Sequence, residues 1–241
     1  MEDPSISELA SASQSAYDES APDDYTRVEE LSSPDISTFR HITKPHYIIS
    51  HRGTDFSDGS SIKKDVRADL NIALGNRAGD TLHKRRTKKT EAIIKTIQKK
   101  EPGHEIHLTG HSLGGSTSAH AMATSAIVRA GVKKHDTFNS GSSAFQSQPV
   151  VSADVRKEIE AKSTHHRVIG DEISAHTKSS LIGKTKTYKS TKKPTVSQHL
   201  LAMATPLLKK TFAGRLVAFG ANKALGTMES HSISHFIKAK K

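Results

Sequence analysis

Ser112 lies in the segment Thr-Gly-His-Ser-Leu-Gly-Gly at residues 109–115, with Gly110 two positions before it and Gly114 two positions after it. A serine hydroxyl becomes a nucleophile when a neighbouring base takes its proton, and a sharp strand-to-helix turn exposes the hydroxyl for that purpose. A side chain at position 110 or 114 would collide within so tight a turn, so the turn requires glycine there. The pattern therefore predicts a nucleophile elbow with Ser112 at its tip.

A catalytic serine also needs an acid that orients its base, and in doubly wound hydrolases this acid follows the serine along the chain. Asp171 comes directly after the apolar residues Val168 and Ile169, where we expect a strand to end. Glu172 and Asp154 are lesser candidates because neither follows a strand so directly. The order of residues favours Asp171.

The base of such a site is a histidine, and the chain has 15 histidines, so position along the chain has to select it. The histidine comes last in this arrangement, which leaves His231 and His235 as candidates. A carboxylate bound to one imidazole nitrogen fixes the tautomer, and the other nitrogen then accepts the serine proton.

Two N–H donors must stabilise the oxyanion that forms when the serine attacks a carbonyl. Leu113 offers its backbone amide directly after the serine. Thr54 offers an amide and a hydroxyl in an Arg-Gly-Thr turn after an earlier apolar run. These two residues are the predicted oxyanion hole.

Short apolar runs alternate with helix-prone segments along the chain. The expected strands are 45–51, 106–108, 136–141 and 166–171, and the expected helices are 62–74, 80–100 and 116–130. This alternation predicts an α/β fold with a mostly parallel sheet, in which sites form at the carboxyl ends of the strands. Thr54, Ser112, Gly141 and Asp171 all fall at such predicted ends.

These motifs resemble those of the class 3 (fungal-type) lipase family over about residues 40–236. Residues 109–115 match the family's elbow almost letter for letter, and residues 51–54, His-Arg-Gly-Thr, resemble its oxyanion turn, with histidine where phenylalanine is usual. Three further segments are more loosely similar to the family. Residues 138–141 resemble the end of one of its strands, 170–173 resemble the segment that carries its acid, and 231–233 resemble its closing histidine motif.

The resemblance implies an α/β-hydrolase three-layer sandwich with a mostly parallel central sheet. It also implies hydrolysis of carboxylic esters of lipids, of the lipase or phospholipase type, with no metal or cofactor. By the same resemblance, His231 is favoured over His235 as the base. The implied roles are Ser112 as nucleophile, His231 as base, Asp171 as orienting acid, and Thr54 with Leu113 as oxyanion hole.

Charge is distributed unevenly along the 241 residues. Residues 1–35 hold ten acids and one arginine, a net charge of −9, which leaves +20 for the remainder of a chain whose total is +11. Residues 1–37 are poor in large apolar side chains, so we expect an acidic, disordered arm before a hydrolase domain at 38–241. In the alternative, this arm docks as a helix through Tyr17 or Tyr25 and shields the basic body.

The basic body favours anionic partners, and peripheral contact with an anionic membrane surface is among the expectations. The apolar segment at 198–225 contains lysine, arginine, proline and glycine, so it suits packed or interfacial helices better than a spanning helix. The N-terminus has no apolar signal sequence and the chain has no cysteine. We therefore expect a soluble or peripheral membrane protein, with the cytoplasm favoured.

A competing hypothesis is a catalytically weak or inactive hydrolase scaffold that acts as a basic binding module for polyanions or membrane surfaces. The supporting charges are Arg85, Arg86, Lys88, Lys89 and the basic run at 184–193. Tryptophan is absent and aromatic residues are only 5%, which argues against a stacking platform for single-stranded nucleic acid. No specific nucleic-acid binding is predicted.

A zinc site is a further alternative that the sequence disfavours. Its candidate ligands would be His104, His107, His165 and His166. The chain lacks both cysteine and a His-Glu-x-x-His motif, the usual signatures of such sites. We therefore predict no metal site.

Overall fold

The structure is a computed structural model, which describes residues 2–53, 77–140, 150–169, 171, 174, 181–189 and 232–237, with only the backbone of 77–80. Several predicted features lie outside these residues, namely the helix at 62–74, the segment at 198–225, Thr54, Gly141 and His231. Among the described helices, none is long and apolar enough to cross a membrane.

Seven strands form one sheet whose spatial order follows the chain. They are β1 (Tyr25–Arg27), β2 (Ile36–His41), β3 (His46–His51), β4 (Glu105–His111), β5 (Lys134–Phe138), β6 (Ser163–Val168) and β7 (Lys184–Tyr188). The first two pairs of neighbours are antiparallel and the next four are parallel. Flanking helices complete the α/β-hydrolase-like fold, which confirms the predicted class with its mostly parallel sheet.

The central strands are covered on both faces, and β3 shows this in the sequence as an unbroken apolar run at residues 47–49. Along β3 every residue is buried, and successive side chains point to opposite faces. Tyr47 and Ile49 pack with Leu108 in the core beneath the later helices, whereas Ile48 packs with Phe39 in the core beneath the first helix.

Three helices cover one face of the sheet: α2 (Arg77–Lys100), α3 (Leu113–Thr124) and α4 (Ala126–Gly131). The single helix expected at 116–130 is divided at Ser125, whose backbone is extended and whose hydroxyl accepts a hydrogen bond from the Val128 amide. Serine favours such a cap because its side chain replaces a missing backbone acceptor. A further helix, α5 (Ala153–Lys162), packs beside α3 through Ile159 and was not anticipated.

The N-terminal segment differs from the expected disordered arm, because it is folded onto the body. Ser5 and Glu8 form a capping box that starts α1 (Ile6–Asp18) on the other face of the sheet. Small side chains allow this helix to approach the strands closely, and Leu9 and Ala10 are buried there. The segment therefore fits the alternative expectation, a helix docked on the body. Residues on both sides of position 37 are ordered, so the chain does not change there from disordered to ordered.

Acidic residues of this N-terminal segment pair with bases of the body, as the charge distribution suggested. Asp3 contacts Lys133 and Lys134, Glu2 contacts Lys44, Glu30 contacts Lys100, and Asp35 contacts Arg85, Arg86 and Lys89. Exposed pairs of this kind each contribute little to stability. Asp35 is the exception because its side chain is only 23% exposed and one of its partners, Arg86, is buried.

We expect Asp35→Asn to lower the free energy of unfolding by about 2 kcal/mol at neutral pH, between the values for exposed and buried pairs. Burial raises the pKa of Asp35, but Arg86, Arg85 and Lys89 outweigh it and hold the pKa below its usual value. A depressed carboxyl pKa gives stability that is present above about pH 4 and is lost as the pH falls through the folded-state value.

Urea unfolding of both proteins between pH 7 and pH 2 measures this difference, which should shrink at the acidic end. Glu160→Gln, which removes an exposed pair with Arg156, is the control and should change stability by less than about 1 kcal/mol. A difference for Asp35→Asn that stayed constant down to pH 2 would contradict the assigned charge interaction.

Candidate active site

The turn between β4 and α3 has the backbone geometry of a nucleophile elbow. Ser112 has φ 56° and ψ −124°, directly after the last residue of β4 and before the first residue of α3. A residue with a side chain is strained at positive φ, and such strain persists only where the surroundings impose it. Ser112 is buried, with 6% of its surface exposed.

Glycines surround this serine because neighbouring atoms approach them too closely for a side chain. A Cβ at Gly110 would lie 2.5 Å from the carbonyl carbon of Gly114, and one at Gly114 would collide with the carbonyl oxygen of His51. At Gly115 a Cβ would lie 2.6 Å from Ser140 Oγ. The predicted requirement for glycine at 110 and 114 therefore has a direct steric cause.

His51 takes the place where the resemblance led us to expect phenylalanine, and it is part of the support for the elbow. Its imidazole nitrogens lie 2.9 Å from Thr117 Oγ1 and 2.8 Å from Thr90 Oγ1, on the two helices that pack above the strand. Burial, together with Arg86 and His83, lowers the pKa of His51 well below its usual value. This histidine is therefore a neutral, fully engaged core residue.

The turn after β3 is held by a buried arginine. Arg86 Nη1 donates a hydrogen bond of 2.6 Å to the carbonyl oxygen of Arg52 and another of 3.2 Å to Thr117 Oγ1. The Arg52 amide donates to the carbonyl oxygen of Asp35 at 3.0 Å. These bonds fix the chain up to Gly53, immediately before Thr54, which itself lies outside the described residues.

Tyr17, from the end of α1, reaches both predicted parts of the site. Its hydroxyl lies 2.9 Å from Nδ1 of His111, the residue before Ser112, and a Cβ at Gly53 would collide with the same hydroxyl. The Arg52 guanidinium lies 6.0 Å from the centre of its ring. No motif in the sequence indicates this role, and sequence analysis offered only the possibility that Tyr17 docks on the body.

We expect Tyr17→Phe to lower kcat for ester hydrolysis by about 5- to 30-fold with a small change in KM, because one net hydrogen bond of about 1 to 2 kcal/mol is lost between α1 and the elbow. Steady-state kinetics on a soluble ester measures this loss. Tyr47→Phe, a change on the same sheet distant from the elbow, is the control. An equal fall in both variants would contradict a positioning role for the Tyr17 hydroxyl.

Hydrogen bonds connect the elbow to the next two strands along the carboxyl edge of the sheet. The Ser112 amide donates to the carbonyl oxygen of Phe138, the last residue of β5, at 3.1 Å. Asn139 then donates its amide to the carbonyl oxygen of His166 at 2.8 Å and accepts a bond from the Val168 amide through Oδ1 at 2.9 Å. Asn139 has φ 41°, a conformation that asparagine tolerates better than most residues.

Asp171 follows this connection directly, at the carboxyl end of β6. Its amide donates to the carbonyl oxygen of Val168 at 3.3 Å, and its Oδ2 accepts a bond of 3.1 Å from the Ser174 amide. Only 1% of its surface is exposed. By contrast, Asp154 is exposed in the first turn of α5, and Glu172 lies outside the described residues.

The chain returns to this edge at Ile233, two residues after His231. A 3₁₀ helix at Ile233–His235 buries Ile233 and is followed by Phe236, whose ring lies 5.0 Å from that of Phe138. His235 is partly exposed on this short helix. The structure therefore brings the end of the chain beside the last residue of β5, the strand that the elbow contacts.

The four histidines considered for zinc do not form a common site in the described part of the chain. His104 pairs with Glu101, His165 binds Thr137 and the carbonyl of Ile182, and His166 lies between Asp136 and Tyr188. His107 adjoins Asp3 and Glu105, the one group of metal-ligand side chains found among the described residues. Lys133 already bridges both carboxylates, at 2.8 Å and 2.6 Å, so their charge is compensated.

Comparison with known families gives an independent result. The model of the class 3 lipases matches residues 54–172, a range that contains both the elbow and Asp171. A search of curated proteins found no match. The matched family supports lipid ester hydrolysis as the general activity. Over residues 54–172, just under half of its length, the chain is similar to the class 3 lipases, and the sheet and the elbow geometry agree with that similarity.

Proposed function

We propose that the protein hydrolyses carboxylic esters of lipids through an acyl-enzyme formed on Ser112. The observation that carries this proposal is the strained backbone of Ser112, at φ 56° between β4 and α3, in a turn closed by three glycines. A strained, over-determined conformation at one polar side chain is typical of a catalytic position. The family match supports the substrate class.

In the proposed first step, Ser112 Oγ attacks the acyl carbonyl as His231 takes the hydroxyl proton. The bond to the alcohol then breaks, and His231 returns the proton to the leaving oxygen, which gives the free alcohol and the acyl-enzyme. In the second step His231 takes a proton from water, whose oxygen attacks the acyl carbon; the bond from that carbon to Ser112 Oγ then breaks, His231 returns the proton to Oγ, and the acid leaves. Asp171 orients His231 throughout and stabilises its charged form.

The Leu113 amide is one proposed donor to the oxyanion, because the elbow sets it directly after the nucleophile. Thr54 is the other, with Arg86, Asp35 and Tyr17 holding the turn that precedes it. Preorganised donors of this kind are each worth about 10² to 10³ in kcat. Rigid support for the turn is therefore part of the proposed catalysis.

A fluorophosphonate probe tests the nucleophile, because it forms a stable bond only with an activated serine. We expect peptide mapping to find the label on Ser112, and we expect Ser112→Ala to lose it. Ser116→Ala, one turn later on α3, is the matched control and should keep the label. A label that persists in Ser112→Ala would overturn the choice of nucleophile.

The same probe separates the two candidate bases. We expect His231→Ala to slow labelling by roughly 10³-fold or more, since the serine loses its base. His235→Ala should label at nearly the rate of the unmodified protein. The opposite result would move the role of base to His235.

A further inference from the structure

One face of α2 carries a row of exposed lysines. Lys84, Lys88, Lys95 and Lys99 are exposed, and we call them the α2 lysine row. At 3.6 residues per turn they fall within about 60° of arc, along about 22 Å of the helix. The buried side of α2, with Ile93, Ile94 and Ile97, lies roughly opposite.

Other bases of the same helix are already compensated by the N-terminal segment. Arg85 and Lys89 bind Asp35, and Lys100 binds Glu30. Among the described residues, no carboxylate forms an ion pair with any lysine of the α2 lysine row. The acidic N-terminal segment thus neutralises one side of α2 and leaves the row as concentrated positive charge.

The acid nearest to the row on α2 is also turned away from it. Glu91 accepts a hydrogen bond of 2.6 Å from Ser125 Oγ at the start of α4. The remaining exposed positions on this face, Thr81 and Ala92, are small and uncharged. Among the side chains of α2 that the structure describes, no large residue stands above these lysines, and the one carboxylate, that of Glu91, is held by Ser125.

We propose that the α2 lysine row docks the protein on an anionic lipid surface. A straight row of flexible lysines suits a flat surface of diffuse negative charge, because an ammonium group acts as a point charge without directional requirements. The helix has no phenylalanine, tyrosine or tryptophan on which a nucleic-acid base would stack. The family that matches residues 54–172 is one of lipases, which act on lipids.

The helix that carries the row extends between the two edges of the sheet. α2 leaves the carboxyl edge of the sheet near Arg86, which holds Arg52, and ends at Lys100 near the opposite edge. This inference rests on the family's lipid substrates and not on the proposed triad.

Vesicle co-sedimentation of a variant with all four lysines changed to glutamine tests the proposal. The vesicles are phosphatidylcholine alone or phosphatidylcholine with phosphatidylserine. Each lysine near an anionic surface contributes roughly fivefold to partitioning, so we expect the variant to lose 100-fold or more on the anionic vesicles. Binding of the unmodified protein should weaken as salt is added, and both proteins should bind neutral vesicles poorly.

A control of equal charge change distinguishes the row from total charge. Lys157, Lys184, Lys186 and Lys189 are exposed on α5 and at the β7 edge, and their joint change to glutamine should leave most vesicle binding intact. Replacing the row with four arginines should also keep binding. Equal loss in the row variant and the control variant would overturn the proposal, as would absence of vesicle binding by the unmodified protein.

Two further measurements test lipid docking separately from the proposed ester hydrolysis. Ser112→Ala should bind anionic vesicles as the unmodified protein does, whether or not the protein proves to be an esterase. The row variant should hydrolyse a soluble ester at the normal rate. Binding of duplex DNA in place of vesicles, lost in the row variant, would overturn the lipid assignment in favour of nucleic acid.

Discussion

Ser112→Ala is expected to lower kcat for a soluble p-nitrophenyl ester by roughly 10⁴- to 10⁶-fold. The variant removes the only atom that forms the acyl-enzyme, while the elbow amides and the substrate site stay in place. Alanine accepts the same backbone angles at a similar strain, so the variant should fold normally. A rate close to that of the unmodified protein would contradict the proposed mechanism.

Ser112→Gly extends the same experiment to the strain itself. Glycine adopts φ 56° without the penalty that a side chain brings, which is roughly 1 kcal/mol or more. We expect this variant to be as inactive as Ser112→Ala and more resistant to urea than either Ser112→Ala or the unmodified protein. Thermal and urea unfolding of the three proteins measure the difference. No gain in stability would show that the turn carries no strain at this position.

The central α/β elements were predictable because their signals are local. The run before Ser112 alternates Ile106 and Leu108 with polar residues, and Pro102 and Gly103 separate it from the preceding helix. Glycine spacing then indicated the elbow, and the observed contacts of Gly110 and Gly114 explain that spacing. The spacing of these glycines is a local signal that a single sequence displays, although the contact that requires glycine at 114 is made with the distant His51.

The N-terminal segment could not be predicted in the same way, because its stability comes from distant partners. Ala10 and Ala12 look weakly apolar alone, yet each is fully buried where α1 meets the sheet. The pairing of β1 and β2 depends on neighbouring strands, and Asp35 reads as a loop acid until Arg86 is set beside it. Composition reports none of these contacts.

The roles of the histidines in the site also depend on contacts that the sequence does not show. The sequence could not tell a catalytic imidazole from a structural one, because both are single polar residues near apolar runs. The structure distinguishes His51 by its two threonine contacts and complete burial. His111 is distinguished by its contact with Tyr17. Only tertiary contacts separate these supporting residues from the candidate bases.

Asp171→Asn is expected to lower kcat by roughly 10³- to 10⁴-fold, because an amide cannot stabilise the charged histidine and favours the wrong tautomer. The change is nearly isosteric, and the asparagine oxygen can still accept the bond from the Ser174 amide. The melting temperature should therefore change little. Ester hydrolysis and thermal unfolding, measured on the same samples, separate the two effects.

Asp154→Asn and Glu172→Gln are the matched controls. Each replaces a carboxylate with an amide at a lesser candidate for the orienting acid. Both should keep kcat within about threefold of the unmodified protein, as expected for groups outside the reacting centre. If the large loss followed Glu172→Gln instead, the acid would be the neighbour of Asp171. If Asp171→Asn lowered the melting temperature strongly while the folded fraction kept its kcat, the buried carboxylate would be a structural turn residue. The proposed role requires a loss of kcat without a matching loss of stability.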